Sequence, residues 1–344
     1  MVTRVPLTTL LSWGWIAFTI EADNAVEAAG SERAGRLFRI SLPMWANGLR
    51  LIGEDGISVR ELRAQARAAC NLGGLERWGW ITVGDAGGGR RAGYGSHRGV
   101  TSGTVLRVTR AGAYARRLWP EVAAGVEQRW RDRFGGAAVD ALRDALGRHA
   151  GGMPSAPPEV HPSDGFRTHV VEGPAPSADG WLGGLLGQAL TSVTLGHEQH
   201  SAVSLPLAAD FLRVIGGQTV RIRDLPALSG VSKQAVAMAT GFLERRGRAQ
   251  IGPPRSVTLT GAGRAALDDY RARAADGEDQ ALREALEAVV SQREALADGL
   301  VPPPGGWRGA RPYLTQTRRV LADPAAALPW HPMVLHRGGW PDGS

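Results

Sequence analysis

The chain contains one unit twice, and no other feature constrains its fold as much. At a constant offset of 163 residues, SLPMWANGLRLIGEDGISVRELRAQA (41–66) lies over SLPLAADFLRVIGGQTVRIRDLPALS (204–229). Ser41, Leu42, Pro43, Leu49, Arg50, Ile52, Gly53, Arg60 and Leu62 meet identical residues, Val59 meets Ile222 and Glu61 meets Asp224. After a slip of five residues LERWG (75–79) lies over LERRG (243–247), and VLRVTRAGAYA (105–115) is similar to SVTLTGAGRAA (256–266). A match of this length and order predicts two copies of one supersecondary unit of about 120–150 residues.

Each copy has the same pattern of elements. The spacing predicts an apolar helix (Leu7–Ala29; Trp181–Glu198), then a second beginning near the Leu-Pro pair, where proline is tolerated in a first turn. A short helix follows (Val59–Arg67; Ile222–Leu228), then one ending at Gly79 or Gly247. Two short β segments come next (Trp80–Val83 and Thr104–Thr109; Ala249–Ile251 and Ser256–Thr260). Long helices close each copy: Ala111–Phe134 and Ala137–His149, then Gly261–Ala274 and Glu278–Ala297, with Thr109 and Thr260 placed as caps. The predicted fold class is mainly α with small β-wings. Three helices, a β-hairpin and a helix are the order of a winged helix-turn-helix, here in tandem with long flanking helices.

Residues 1–150 form the first unit and 180–300 the second. Residues 151–179, rich in Pro, Gly and Ser, read as a linker crossing the surface. Residues 301–344 form a Pro/Gly/Trp-rich strap, expected to pack on the body because Trp307, Tyr313, Trp330 and Trp340 are costly to leave in water. No apolar run reaches the roughly 18 residues needed to span a bilayer, so no membrane role is expected. Val5–Ile20 runs directly into Glu21 and Asp23 without a cleavage-like end, so it does not read as a signal peptide. The single cysteine, Cys70, excludes an internal disulfide and a cysteine zinc site, and the expected compartment is cytoplasmic.

Charge is segregated. Residues 1–150 carry 21 arginines against 14 acids, while 151–344 carry 19 bases and 19 acids. Within the second half, 205–260 has 8 bases and 3 acids, and 261–300 has 5 and 9. Basic character confined to segments is the footprint of an anionic partner. Arginine used for solubility would give the same total (Lys233 is the only lysine) but does not call for the segregation.

The stronger candidate for reading DNA is the second copy. Gly230 sits at the turn between two short helices, Ser232 can cap the next, and Val236, Met238, Ala239, Phe242 and Leu243 form its buried stripe. Its first turn presents Ser232, Lys233 and Gln234. Recognition helices read base edges with such N-terminal residues, Gln pairing with adenine and Lys with guanine or phosphate. Arg245 ends the helix and Arg255 lies in the hairpin. GVSKQAVAMATGFLERRG followed by VTLTGAGR resembles the winged-helix core of MarR-family transcriptional regulators. The resemblance implies DNA binding through the reading helix and wing, dimerisation through helices from both chain ends, and a small aromatic or amphipathic effector held near those helices. Two fused units then imply a single-chain pseudo-dimer, monomeric in solution.

The first copy departs from this pattern. It is five residues shorter before LERWG, has no glycine at the turn, and offers Asn71 and Arg77 on a short reading segment with two internal glycines. Its wing, Gly84–Gly103, is long and carries Arg90, Arg91, His97 and Arg98, which suits insertion into a narrow minor groove; a loose hairpin tip would look the same.

Other sites are weaker. His197 and His200 share a helix face, but the pattern is not HExxH, and no metal or other cofactor is expected. Cys70, near Arg67 and Arg77, reads either as a redox switch or as a small buried hydrophobe. Trp15, Trp45 and Trp119 form a candidate effector pocket; plain packing of the fused interface is the alternative and the slightly better account. No nucleophile has a recognisable base, so no enzyme is expected. The chain reads as a sequence-specific double-stranded DNA-binding transcriptional regulator, expected to be a repressor, with two non-identical heads. The alternative is a ligand- or protein-binding module that has lost DNA contacts.

Overall fold

The computed structural model describes residues 7–34, 40–84, 100–158, 165–171, 180–201, 204, 211–212, 214–225, 228, 233–275 and 279–290. The 301–344 strap lies outside the described residues. The protein is mainly helical with two small antiparallel sheets. Among the described residues no helix is long and apolar enough to cross a membrane.

Helix α1 (Leu7–Ala34) is apolar on all sides through its first four turns, and a helix of that kind must be surrounded. It is: Leu11, Trp15, Ala17 and Phe18 are completely buried, and α1 packs against α5 (Arg110–Phe134), α7 (Leu182–His200) and α10 (Gln280–Val290). Helix α6 (Gly136–Gly147) packs on both α10 and α7. End helices of both copies therefore share one hydrophobic core. Buried polar groups tie it together. Glu21 on α1 accepts from the Trp130 indole at 2.9 Å and from Arg133 on α5. Asp23 accepts the Leu42 amide at 2.8 Å, at the start of α2 (Leu42–Ala46). Asp279 accepts from the Leu282 amide (2.9 Å) and lies 2.9 Å from His149, joining the end of the first copy to α10. The Leu282 amide and then His149 hold the Asp279 carboxyl below the usual range.

The two sheets repeat one design. Strands β1 (Ile57–Ser58), β2 (Ile81–Val83) and β3 (Val105–Val108) run in the order β1-β3-β2; β4 (Val220–Arg221), β5 (Ala249–Gly252) and β6 (Ser256–Leu259) run β4-β6-β5. Ile57 pairs Leu106 where Val220 pairs Val257, and Ile81 pairs Val108 where Ala249 pairs Leu259. The step into the next helix, α5 in the first copy and α9 (Gly261–Ala275) in the second, repeats bond for bond. The Thr109 and Thr260 hydroxyls each donate to a glycine carbonyl (Gly79, Gly247) at 2.7 Å and accept the Gly112 or Gly263 amide at 3.0 or 3.1 Å.

The copies differ in their cores. In the first, Leu49, Ile52, Leu62, Leu75 and Leu106 are continuous with the shared helical core. In the second, Phe211, Leu212, Ile215, Leu225, Val236, Leu243 and Val257 form a core of their own.

The described residues of 151–179 do not all lie on the surface as a linker would. Ser155, Ala156 and Phe166 are buried. The Asn47 side chain donates to the Ala156 carbonyl at 3.0 Å, and Arg67 donates to the Gly152 and Val171 carbonyls. Composition marked the segment as irregular; capture of its carbonyls is what brings it inside.

Arg67 closes α3 (Val59–Ala66) with φ +53°, and by the 163-residue offset it stands where the second copy has Gly230. A left-handed non-glycine residue costs about 1–2 kcal/mol, offset here by the guanidinium bonds to the linker. Arg67→Ala loses those bonds and keeps the strain, whereas Arg67→Gly loses the bonds and relieves it. Urea denaturation is expected to place Arg67→Gly about 1 kcal/mol above Arg67→Ala; equal stabilities would mean the turn is unstrained.

Candidate nucleic-acid interface

The second copy builds the more developed surface. Helix α8 (Lys233–Arg245) carries the expected reading segment, and the residues just before it lie outside what is described. Val236, Ala239, Thr240 and Leu243 face the core, Met238 and Phe242 are half-buried, and Ala237, Glu244 and Arg245 are exposed. Ser232 and the side chains of Lys233 and Gln234 lie outside what is described. Arg246 sits 5.5 Å over the Phe242 ring. Beside α8 the β5–β6 hairpin turns through Pro253, Pro254 and Arg255, the last exposed with φ +60°. The Arg255 carbonyl accepts the Ile222 amide at 3.0 Å, which fixes the hairpin tip against the end of β4.

Between α8 and the hairpin lies a cleft of about 610 Å³. Val236, Ala237, Thr240 and Gly241 form its helix wall. Ile251, Pro254 and Arg255 form the hairpin wall, and Ile222 and Arg223 join the two. Arg223 and Arg255 are exposed cations, and no acid belongs to the lining among the described residues. Asp224 is engaged mainly by Arg221 at 2.6 Å and lies 3.6 Å from Arg223. Arg221 and Arg223 were not singled out from sequence. The signals that could have found them were the basic surplus of 205–260 and the identity of Arg223 with Arg60.

The first copy is curtailed at the same place. Helix α4 (Leu72–Arg77) spans six residues against thirteen in α8. Asn71 caps it, its amide oxygen accepting the Gly74 amide at 2.8 Å. Arg77 is exposed, 5.9 Å from the Trp78 ring. The turn before α4 is occupied by the linker: Ala68 bridges Val170, the Ala69 amide donates to the His169 carbonyl at 2.8 Å, and the Val171 amide donates to the Arg67 carbonyl at 2.9 Å. Arg90, Arg91, His97 and Arg98 lie outside the described residues.

The remaining candidates are placed as follows. Between His197 and His200, Glu198 is buried and accepts the Phe166 (3.0 Å) and Arg167 (2.8 Å) amides and the Ser204 hydroxyl (2.5 Å). His197 meets Tyr270 edge-on, with centroids 5.6 Å apart. The Cys70 thiol is half-buried and donates to the Asn47 carbonyl. Trp45 and Trp119 stack with centroids 5.5 Å apart, Trp181 meets Trp45 edge-on at 5.7 Å, and Trp15 is completely buried in the same core. The buried indole N–H groups of Trp15, Trp45, Trp119 and Trp181 have no hydrogen-bond partner.

Comparison with protein families, with curated proteins and with solved structures finds no match.

Proposed function

We propose that the chain is a sequence-specific, double-stranded DNA-binding transcriptional regulator built from two non-identical winged helix-turn-helix units. The observation that carries this reading is the cleft between α8 and the β5–β6 hairpin, with Arg223 and Arg255 in its lining and no acid among the described lining residues. Its two walls are a helix narrow enough for a major groove and a two-stranded hairpin bearing a cation near its tip. Around it, Arg221, Arg245 and Arg246 add exposed positive charge suited to phosphates. The second unit is the base reader through Lys233 and Gln234. The first, with a six-residue α4 and a linker across its turn, contributes backbone attraction and little base readout. This curtailment also favours a second reading for that unit alone, a winged helix that has lost its DNA contacts.

Equilibrium binding to a duplex selected from random sequence tests the proposal. Affinity is expected to fall steeply and log-linearly with salt. Gln234→Ala should lose about 1–3 kcal/mol and relax preference at one base pair; Lys233→Ala should weaken all sequences and shallow the salt slope by about one unit. One well-defined half-site is expected beside a poorly defined one. Wild-type binding by both variants would remove α8 as the reading element, and two equally informative inverted half-sites would contradict the asymmetry.

A further inference from the structure

The cleft beside α8 also bears on the kind of sugar it accepts, an inference that rests on the DNA reading above. A helix in a major groove and a hairpin in the adjacent minor groove are separated by one sugar–phosphate strand, so that strand must run through the cleft between them. The cleft's chemistry suits such a strand. Arg223 and Arg255 are placed for phosphates, while Ile222, Ile251 and Pro254 present apolar surface to the sugars. Ala237 and Gly241 keep the helix wall low, so a backbone can approach closely. Ile251 is 37% exposed, a large apolar side chain left facing the cleft and solvent.

Among the described residues the lining contains one hydroxyl, on Thr240, and it is spent. Thr240 is 3% exposed, and its Oγ1 donates back to the Val236 carbonyl at 2.6 Å, with the Ala237 carbonyl at 3.2 Å. The Arg255 carbonyl is taken by the Ile222 amide. A deoxyribose offers this surface a methylene at C2′. A ribose offers a hydroxyl, which would leave water and find no acceptor on the apolar wall. We infer that the α8–hairpin cleft is a sugar-selective site that admits deoxyribose and rejects ribose at one or two positions of one strand, with Ile251 and Pro254 as the discriminating residues. The protein then distinguishes DNA from RNA–DNA hybrid locally, apart from any difference in groove shape.

The test uses the full-length protein and a DNA duplex of about 25 base pairs recovered by selection from random sequence, long enough for two major-groove contacts one helical turn apart. Single ribonucleotides are placed at each position in turn. At one or two positions on one strand affinity is expected to fall by roughly 5- to 100-fold, the cost of an unpaired buried hydroxyl. A 2′-fluoro nucleotide at the same positions, which shares the ribose pucker but cannot donate, should bind within about threefold of DNA on the same grounds. Ile251→Ser or Pro254→Ser, each checked for folding by circular dichroism, should narrow the ribose penalty at that position alone. Equal penalties for fluoro and hydroxyl substitution, or a duplex that binds with no sensitive position, would overturn the sugar-selective cleft and leave DNA binding standing. Absence of salt-dependent binding to any duplex would instead overturn the regulator reading, and the cleft's role with it.

Discussion

Replacing Gly263 with alanine is expected to unfold the second copy's core and abolish DNA binding while the helical body stays folded. A Cβ at Gly263 would fall inside the contact shell of the Arg248 carbonyl oxygen and lie 3.1 Å from Leu259 Cβ. That carbonyl cannot retreat, because it accepts the Thr260 amide at 3.0 Å and its own residue is held by the Leu243 carbonyl at 2.8 Å. Overlap of backbone with backbone belongs at the upper end of overpacking costs, roughly 3 kcal/mol or more. Gly112→Ala makes the same clash with the Trp80 carbonyl in the first copy, but that copy is continuous with the body. The two variants should therefore be separable. Among the described residues the second core contains no tryptophan, whereas Trp13, Trp15, Trp45, Trp80, Trp119 and Trp130 belong to the body. Gly263→Ala should lose helical circular dichroism early in urea with little change in tryptophan fluorescence, and Gly112→Ala should lose both together. Coincident curves from both probes in Gly263→Ala would show that the cores are not separate.

Trp119→Ala carries the other large effect. Trp119 is completely buried on α5 and stacked on Trp45, and truncating a buried tryptophan costs about 3–5 kcal/mol. Trp119→Phe should cost only about 1–2 kcal/mol, since the ring contact persists and the lost indole N–H had no acceptor. Urea midpoints of the two variants decide whether these tryptophans are packing. A Trp119→Ala protein within about 1 kcal/mol of wild type would mean that the site tolerates a void. The effector-pocket reading of Trp15, Trp45 and Trp119 would then be favoured over simple core packing.

Much of this architecture was legible because the repeat doubled each signal. Thr109 and Thr260, read as caps, cap, and the glycines three residues on sit where only glycine fits. Of the long helices, α5, α6 and α7 fall within two residues of their expected bounds, and the far end of the expected Glu278–Ala297 helix lies outside the described residues. Strands β1 and β4 were not foreseen, since two residues cannot display an alternating period and their pairing is decided by the distant β3 and β6. The burial of Ser155–Ala156 and Phe166 was equally hidden: a Pro/Gly/Ser-rich run reads as exposed, and only the long-range donors Asn47 and Arg67 reverse that. At the site, the placement of Arg245 at the end of α8 and of Arg255 in the hairpin followed from local pattern. The cleft did not, because it is made by bringing Arg223 and Ile251 together across 28 residues of sequence.

The shared core of α1, α5, α6, α7 and α10 has a consequence for heredity. In an assembly of identical subunits every mutation is expressed at two symmetry-related places, so a change that ruins one half ruins both. Here the gene writes each half separately. Arg67 stands on one side where the aligned position on the other is Gly230, and a six-residue α4 on one side coexists with Lys233–Arg245 on the other. Because the halves are bonded in one chain and packed through one interior, the diverged half is never diluted by pairing with an unaltered copy. Asymmetry that a symmetric assembly could hold only by mixing two gene products is inherited here as a single trait.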